Sequence, residues 1–569
     1  MKNKLSLLAC IVISFIYTGH RFYYADIGQG EPLKVTDWDA LGYYLYLPST
    51  LIYHDYKRLD WFPAIDSEYH VSGGEFYQAL KHENGNYFYK YLGGVAIMQL
   101  PFFLTAHLYA SNSAHYQADG FSPPYQYAIA LGNLVYFIIA LFLLRSFLLL
   151  YFKDETVMVS LLLMTLATNL IQYIAVNGGM SHGYIFPLYV FILWATYNWH
   201  ESPRFLWAAA IGYIIGLGTI SRPTEAVMLF IPLLWNTQNK ETATKKWDMV
   251  REHIPHVIIA ILSGLLAIVP QLLYWRSVTG SFVYDVGSKW SFLNPFFRVL
   301  FGWEKGWFIY TPVTVFFIAG LFFVKKYPFK NAVIWFCILN IYIIISWFDW
   351  RYGGSYSTRA LTQSYPVFSL SLAAFVHYLQ GKKWKGIFYT LGIYLIAVNL
   401  FQVYQYNNTI LHFNDMNRNY YSVIYLKAHP SPLDMSLLDT DDFLSDENAY
   451  SPAVLIQDTF KKEITPFNPV ADTLISLRSA DWIKVRVKLK IISGIWNSKI
   501  KASLGEDAHF FRLENAISKE GVENEYEFYL KPKAAGLQKL VITVESSSGM
   551  TGRQHLLYVV QLQTAQPEL

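Results

Sequence analysis

The 569 residues are 53% hydrophobic, 18% aromatic and only 15% charged, with a net charge of +4. So small and evenly spread a charge excludes nucleic acid as the partner, and apolar runs near twenty residues long, recurring from residue 5 to about 404, exclude an ordinary soluble core. The expected class is a polytopic α-helical membrane protein. Cys10 and Cys337 both lie inside apolar runs, so neither a disulfide framework nor a thiolate metal site can be built.

Residues 5–24 read as an uncleaved first span, with Lys2 and Lys4 holding its start in the cytoplasm. Ten further spans are expected at about 125–152, 156–176, 181–199, 205–220, 222–236, 254–276, 307–324, 331–348, 359–379 and 384–404, which makes eleven. Loops 237–253, 325–330 and 380–385 carry ten Lys/Arg in 29 residues, against four in the 40 residues of loops 277–306 and 349–358. By the positive-inside rule the first set is cytoplasmic, and alternation fixes the rest. Leu92 to Ala110 is apolar enough to cross, but a twelfth span would put the Lys-rich loops outside. With Gly93, Gly94 and Pro101 interrupting it, this stretch is expected to be juxtamembrane or re-entrant. The first outer loop then runs from about 25 to 124, and loops of that length are usually functional.

Past 404 the character changes. Residues 405–455, rich in Asn, Asp, Ser and Pro, read as a connector with little regular structure. From about 456 to 569, short runs alternate with period two, clearest in 483–491, 539–545 and 556–562, with turn residues at Ser493-Gly494 and Ala535-Gly536. That pattern predicts an antiparallel β-sandwich domain, periplasmic by parity.

The topology gathers scattered residues on one side: Asp37, Asp39, His182, Arg222, Lys289, Glu304, Lys305, Arg351 and Arg359. A helix starting near Asp39 would align Asp39, Tyr43 and Tyr46 on one face, and either Asp37 or Asp39 can cap its start. A capping role competes with a catalytic one. Arginines at span ends usually snorkel to headgroups on the cytoplasmic side, whereas Arg222, Arg351 and Arg359 fall opposite. Fork-shaped donors there suit an anionic lipid phosphate, and pairing with Glu225, Glu304 or Asp349 is the purely structural alternative. His182, in a short turn, is equally well a hydrogen-bonded helix end. No spacing such as HxxxH is present, so no obligatory metal is expected, although Asp, Glu and His leave room for a divalent ion.

In these respects the chain resembles the GT-C superfamily of polyprenyl-phosphate-sugar glycosyltransferases, in particular the protein O-mannosyltransferase and aminoarabinose lipid A transferase branch. The likeness covers about residues 1–404. It is carried by Asp39 with Tyr43 in the first outer loop, Ser221-Arg222-Pro223-Thr224, the stretch Gly306 to Pro312, and Gly353-Gly354-Ser355 followed by Arg359 and Pro366. What the resemblance implies is a site at the outer membrane face of a bacterial cytoplasmic membrane. There Asp39, or alternatively Asp37, is general base on the acceptor, and basic residues hold the donor phosphate through an inverting single displacement. The family's Lys-Pro-Pro element is absent; Lys90 occupies the comparable place. The implied partners are a polyprenyl-phosphate-linked sugar, membrane lipid, and a periplasmic protein, lipid or polysaccharide acceptor. The rival reading is a flippase for lipid-linked sugars. That reading asks for charged residues near the bilayer midplane, and most span interiors lack them.

Overall fold

The computed structural model describes residues 3–24, 33–459, 462–464, 469–478, 480–547 and 549–564, and divides into two compact units, Met1–Leu400 and Phe401–Leu569. The first unit is helical. Four helices are long and apolar enough to cross a membrane: Lys4–Tyr23, Pro123–Leu148, Ile254–Thr279 and Lys385–Asn407. Shorter apolar helices, Phe205–Ser221, Pro223–Leu234 and Lys330–Ile345, stand with them. Several of the runs read as spans are broken, two of them at a proline. Residues 222–236 hold a 3-10 segment, Pro223–Leu229, followed by Phe230–Leu234, and 307–324 hold three short pieces, Trp307–Tyr310, Pro312–Thr314 and Val315–Gly320. Proline starts a new segment in both places, because it lacks the N–H that would continue the preceding turn. Residues 94–111 form one helix with Pro101 inside it.

Without water between them, apolar helices gain little from hydrophobic burial and pack through small residues that let backbones approach. Gly212 and Gly216, one turn apart on Phe205–Ser221, serve that purpose. A Cβ on Gly212 would lie 1.8 Å from the Ala260 carbonyl oxygen, and one on Gly216 would lie 2.4 Å from that of Gly264, both on Ile254–Thr279.

The first loop is ordered by its own short elements. Helices Trp38–Tyr44, Tyr46–Leu51 and Phe62–Tyr69 are followed by a hairpin of β1 (Ala79–Lys81) and β2 (Tyr87–Tyr89). Gln126, near the start of Pro123–Leu148, accepts hydrogen bonds from the backbone N–H groups of Val35 (2.9 Å) and Thr36 (3.1 Å), which anchors the strand of chain that leads into Asp37.

The second unit contains the expected antiparallel sandwich. One sheet runs β5 (Pro469–Leu477), β10 (Gly536–Ser546), β7 (Ser498–Leu504), β8 (Asp507–Arg512). The other runs β3 (Tyr450–Asp458), β11 (Thr551–Thr564), β6 (Trp482–Ser493), β9 (Glu523–Leu530), with β4 (Lys462–Ile464) also on β11. Alternation along β6 decides the faces. Ile483, Val485, Val487, Leu489 and Ile491 enter the core, while Lys484 and Arg486 face outward to Glu527 and Glu525 of β9 at 2.9 and 3.1 Å.

The stretch 405–455, expected to be largely irregular, carries helices Arg418–Ile424 and Pro432–Ser436, capped by the Asn417 and Ser431 side chains. It is also tied to the sandwich, since Arg512 Nε donates to Asp439 at 2.8 Å. Helices this short show no periodicity, so local capping, invisible to a pattern search, creates them.

A valine at Gly212 is expected to force the two helices apart and to cost about 1–3 kcal/mol, the range for overpacking. This would be read as a lower thermal unfolding midpoint in nanodiscs. Gly381→Ala, at a position where a Cβ meets nothing within 4 Å, should leave the midpoint unchanged.

Candidate active site

Asp39 sits in the first turn of Trp38–Tyr44, and three donors converge on its carboxylate. Tyr77 and Tyr91 donate their hydroxyls to Oδ1 at 2.7 and 2.5 Å, and Arg359 donates from Nη2 to Oδ2 at 2.5 Å. The ion pair is largely enclosed, with side chains 21% and 13% exposed. Burial alone would raise the carboxyl, but the Arg359 charge and the two phenols outweigh it and bring Asp39 from 3.8 down to about 2. Three hydrogen bonds thereby occupy its lone pairs.

Asp37, two residues earlier, has the opposite surroundings. It occupies the N-cap position, but its side chain caps no backbone N–H, so the capping role weighed for it is not exercised. Half-buried, and with no side-chain hydrogen bond to its carboxylate among the described residues, it is pushed up to about 6 by burial, with its own N–H and the Lys34 charge opposing. Between the two carboxylates the backbone of Trp38 is held at φ 46°, a left-handed conformation that costs a bulky residue about 1–3 kcal/mol and needs outside support. That support comes from the Val71 carbonyl, which accepts from Trp38 N–H at 3.1 Å, and from Gln78 Nε2, which donates to the Trp38 carbonyl at 3.0 Å.

Around this pair the helix ends bring in the rest. Gly94 lets the start of its helix approach the end of Phe205–Ser221, where a Cβ would lie 2.5 Å from Ser221 N. Lys90 and Tyr91 lie in the chain just before Gly94, and Arg222 directly follows Ser221. Lys90 Nζ lies over the rings of Tyr77 and Tyr91, 5.2 and 5.7 Å from their centroids, the same two rings that hold Asp39. Tyr43 is buried with its ring 4.8 Å from that of Tyr91. Arg222 places Nη1 3.3 Å from Nδ1 of the buried His182. His182 in turn meets Gln363 and packs against the Tyr173 ring.

The remaining expected residues divide by partner. Arg359 belongs to Asp39. Arg351 pairs with Glu304 at 3.0 Å and stacks on Trp350, in a half-exposed position where the structural alternative applies to both. Lys305 is buried and donates to the carbonyls of Arg351 (3.1 Å) and Gly353, bracing the loop that leads to Arg359. Burial pushes Lys305 down to about 7. Lys289 is exposed, and no contact joins it to the Asp39 cluster among the described residues. Lys90 and Arg222 make no ion pair with any carboxylate among the described residues. Also among the described residues, no group of three or more His, Cys, Asp or Glu side chains gathers to hold a metal ion.

Sequence reasoning did not single out Tyr77, Tyr91 or Gln363, and it met Glu225 only as a partner for an arginine. Next to the cluster, helices Tyr46–Leu51, Gly94–Ser111 and Ile254–Thr279 wall a cavity of about 450 Å³ lined mainly by apolar groups, among them Leu47, Ile97, Leu100, Pro270 and Leu273. It is joined to the cluster through Tyr46, whose hydroxyl donates to the Tyr91 carbonyl at 2.9 Å.

No protein-family model matches the chain, and no curated protein matches it. Among solved structures it is similar to the oligosaccharyltransferase AglB of Archaeoglobus fulgidus in complex with an inhibitory peptide and a dolichol-phosphate, at 10% identity and TM-score 0.43, over 78% of this chain and 61% of that one. It is also similar to the apo form of the Archaeoglobus fulgidus oligosaccharyltransferase, at 11% identity and TM-score 0.41, over 75% and 58% of the two chains. A third similar structure is the same enzyme tethered to an acceptor peptide containing the NVT sequon, at 12% identity and TM-score 0.40, over 74% and 56%. The chain thus spans about three-fifths of the length of these structures.

Removing Arg359 with methionine is expected to leave Asp39 half-enclosed without its cation and to cost about 3 kcal/mol. Asp39→Asn in the same chain should recover part of that loss in a double-mutant cycle read by thermal unfolding. Because the folded carboxyl lies below its ordinary value, the clamp stabilises at pH above about 4, and that contribution is lost as the pH falls toward 2.

Proposed function

We propose that this protein is a membrane glycosyltransferase of the GT-C kind, which moves a sugar from a polyprenyl-phosphate donor to an acceptor on the extracytoplasmic side of a bacterial cytoplasmic membrane. One observation carries the reading: two neighbouring carboxylates in opposed electrostatic states share the site with two cations, Lys90 and Arg222, that pair with no carboxylate among the described residues. Pairs of titratable groups pushed apart by their surroundings mark a division of labour.

Asp37 takes the base role. A base works best with a pKa near the operating pH, and a carboxylate held near 2 gives up that driving force. Asp39, the residue the family resemblance puts forward as base, instead fixes Arg359, Tyr77 and Tyr91. As the acceptor attacks the anomeric carbon, Asp37 removes its proton, the carbon–oxygen bond to phosphate breaks, and polyprenyl phosphate leaves with the electron pair. Arg222 and Lys90 meet the charge that develops on the phosphate, and such preorganised stabilisation is worth about two to three orders of magnitude in rate. A single displacement inverts the sugar carbon. The apolar cavity suits the isoprene units nearest the phosphate, and proteins, lipids and polysaccharides remain open as acceptors.

The test is transfer from a pool of extracted polyprenyl-phosphate sugars by purified protein in nanodiscs. Asp37→Asn is expected to lose about a hundredfold in turnover with donor binding intact, and Arg222→Ala to raise the donor KM. The base must be unprotonated, so kcat/KM should climb as the pH rises through about 6, and Asp37→Asn should lack that limb. Full turnover in Asp37→Asn, or no donor consumed by the wild type with any acceptor, contradicts the proposal. In the second case a liposome flipping assay decides for the rival transporter.

A further inference from the structure

Glu225 is a buried carboxylate, 1% exposed, that the reaction above does not use. It lies in the 3-10 segment Pro223–Leu229, three residues after Arg222. Among the described residues it pairs with no lysine or arginine; its partners are neutral donors. Tyr189 donates its hydroxyl to Oε2, while Gln363 Nε2 and Thr224 Oγ1 reach Oε1 at 2.9 and 3.2 Å. A buried acid kept in this way is expensive unless every lone pair is met, and networks so satisfied specify one arrangement of their members.

The arrangement can be followed outward atom by atom. Glu225 faces Gln363 as an acceptor, so the end of the amide at 2.9 Å is its NH₂ group. The other end, the carbonyl oxygen, therefore faces His182 Nδ1 at 2.8 Å. An oxygen there requires Nδ1 to carry the proton. Nε2 of His182 is then left with its lone pair and has no partner among the described residues. The same assignment bears on Arg222. With a proton on Nδ1, the Arg222 Nη1 at 3.3 Å faces another donor and has no other acceptor among the described residues, which leaves the guanidinium available to an anion.

We propose that Glu225 is a positioning residue which acts through Gln363 to lock His182 as the Nδ1–H tautomer, so that Nε2 serves the site as its acceptor for a substrate hydroxyl. The hydroxyl belongs either to the donor's sugar ring or to the attacking acceptor; the recognition chemistry is the same. The ligand rests on the transferase reading above, whereas the tautomer does not. Replacing Glu225 by glutamine exchanges one of its two acceptor oxygens for an NH₂ group, and in the orientation that turns this NH₂ toward Gln363 it offers a donor in place of an acceptor. The amide of Gln363 can then turn over and donate to Nδ1, and the proton moves to Nε2.

The experiment is ¹⁵N NMR of the full chain, labelled at histidine and reconstituted in nanodiscs, with the His182 signals assigned by their loss in His182→Gln. The wild type is expected to show a protonated Nδ1 and a bare Nε2, and Glu225→Gln to shift the population toward protonated Nε2. Gln363→Leu, which cuts the chain at its middle, should also release the preference and serves if Glu225→Gln does not fold. A wild-type His182 protonated at Nε2, or a tautomer unchanged in both variants, overturns the proposal whether or not any sugar is transferred. In parallel, donor affinity and acceptor KM are measured for the same variants. A loss of about tenfold in donor affinity assigns the hydroxyl to the donor sugar, and a similar rise in acceptor KM with donor affinity intact assigns it to the acceptor. A switched tautomer with both constants unchanged removes Nε2 from the site and overturns the role.

Discussion

The ion pair between Asp39 and Arg359 joins residues 320 positions apart, and the helical unit closes its candidate site around it. A charge enclosed among apolar helices must be met by an opposite charge or by hydrogen bonds, because the cost of stranding it exceeds the free energy of most single contacts. Asp39 has both. Its partners come from three separate places: Tyr77 from the bend before the β1–β2 hairpin, Tyr91 from the turn before Gly94, and Arg359 from the loop braced by Lys305. Fixing one carboxylate thus fixes the first loop against the later helices.

The same rule, applied to every charge nearby, separates architecture from chemistry. Arg351 has Glu304, Lys305 has backbone carbonyls, and Glu225 has three neutral donors. Among the described residues, Lys90 and Arg222 stand apart without an ion pair to a carboxylate, and Asp37 has only the Lys34 charge to oppose its burial. Groups left in that state, half-buried for Asp37 and Arg222 and exposed for Lys90, are where a substrate with a transferable proton and a phosphate would be complementary. The sandwich unit keeps its charges in a different manner. Its outward ladder of lysine and arginine on β6 against glutamates on β9 is internally matched, which suits a solvated sheet face.

How much of this was legible in the chain depended on whether a residue violates a local expectation. Aspartates next to an apolar run and arginines in short loops are conspicuous, so Asp37, Asp39, Arg222 and Arg359 could be singled out, and the structure brings two of them, Asp39 and Arg359, into contact. Strands β6, β10 and β11 were visible because period-two alternation survives without tertiary context. Tyr77, Tyr91 and Gln363 break no rule of composition in a chain with 44 tyrosines, and their role exists only once the fold sets them against Asp39 and Glu225. The order of the two carboxylates was illegible for the same reason: which one is clamped depends on an arginine hundreds of residues away. Hydropathy also marked 222–236 and 307–324 as continuous spans, since a window average does not register the single missing N–H at Pro223 or Pro312.

The most direct measurement is a cryo-EM structure of the protein in nanodiscs with polyprenyl phosphate bound. The expected density puts the phosphate in salt-bridge contact with both Arg222 and Lys90, the first isoprene units in the cavity beside Tyr46, and the Asp39–Arg359 pair intact. A phosphate held instead by Arg359 with Asp39 displaced, or one bound away from Arg222 and Lys90 altogether, would contradict the assignment of unmatched charges to the substrate.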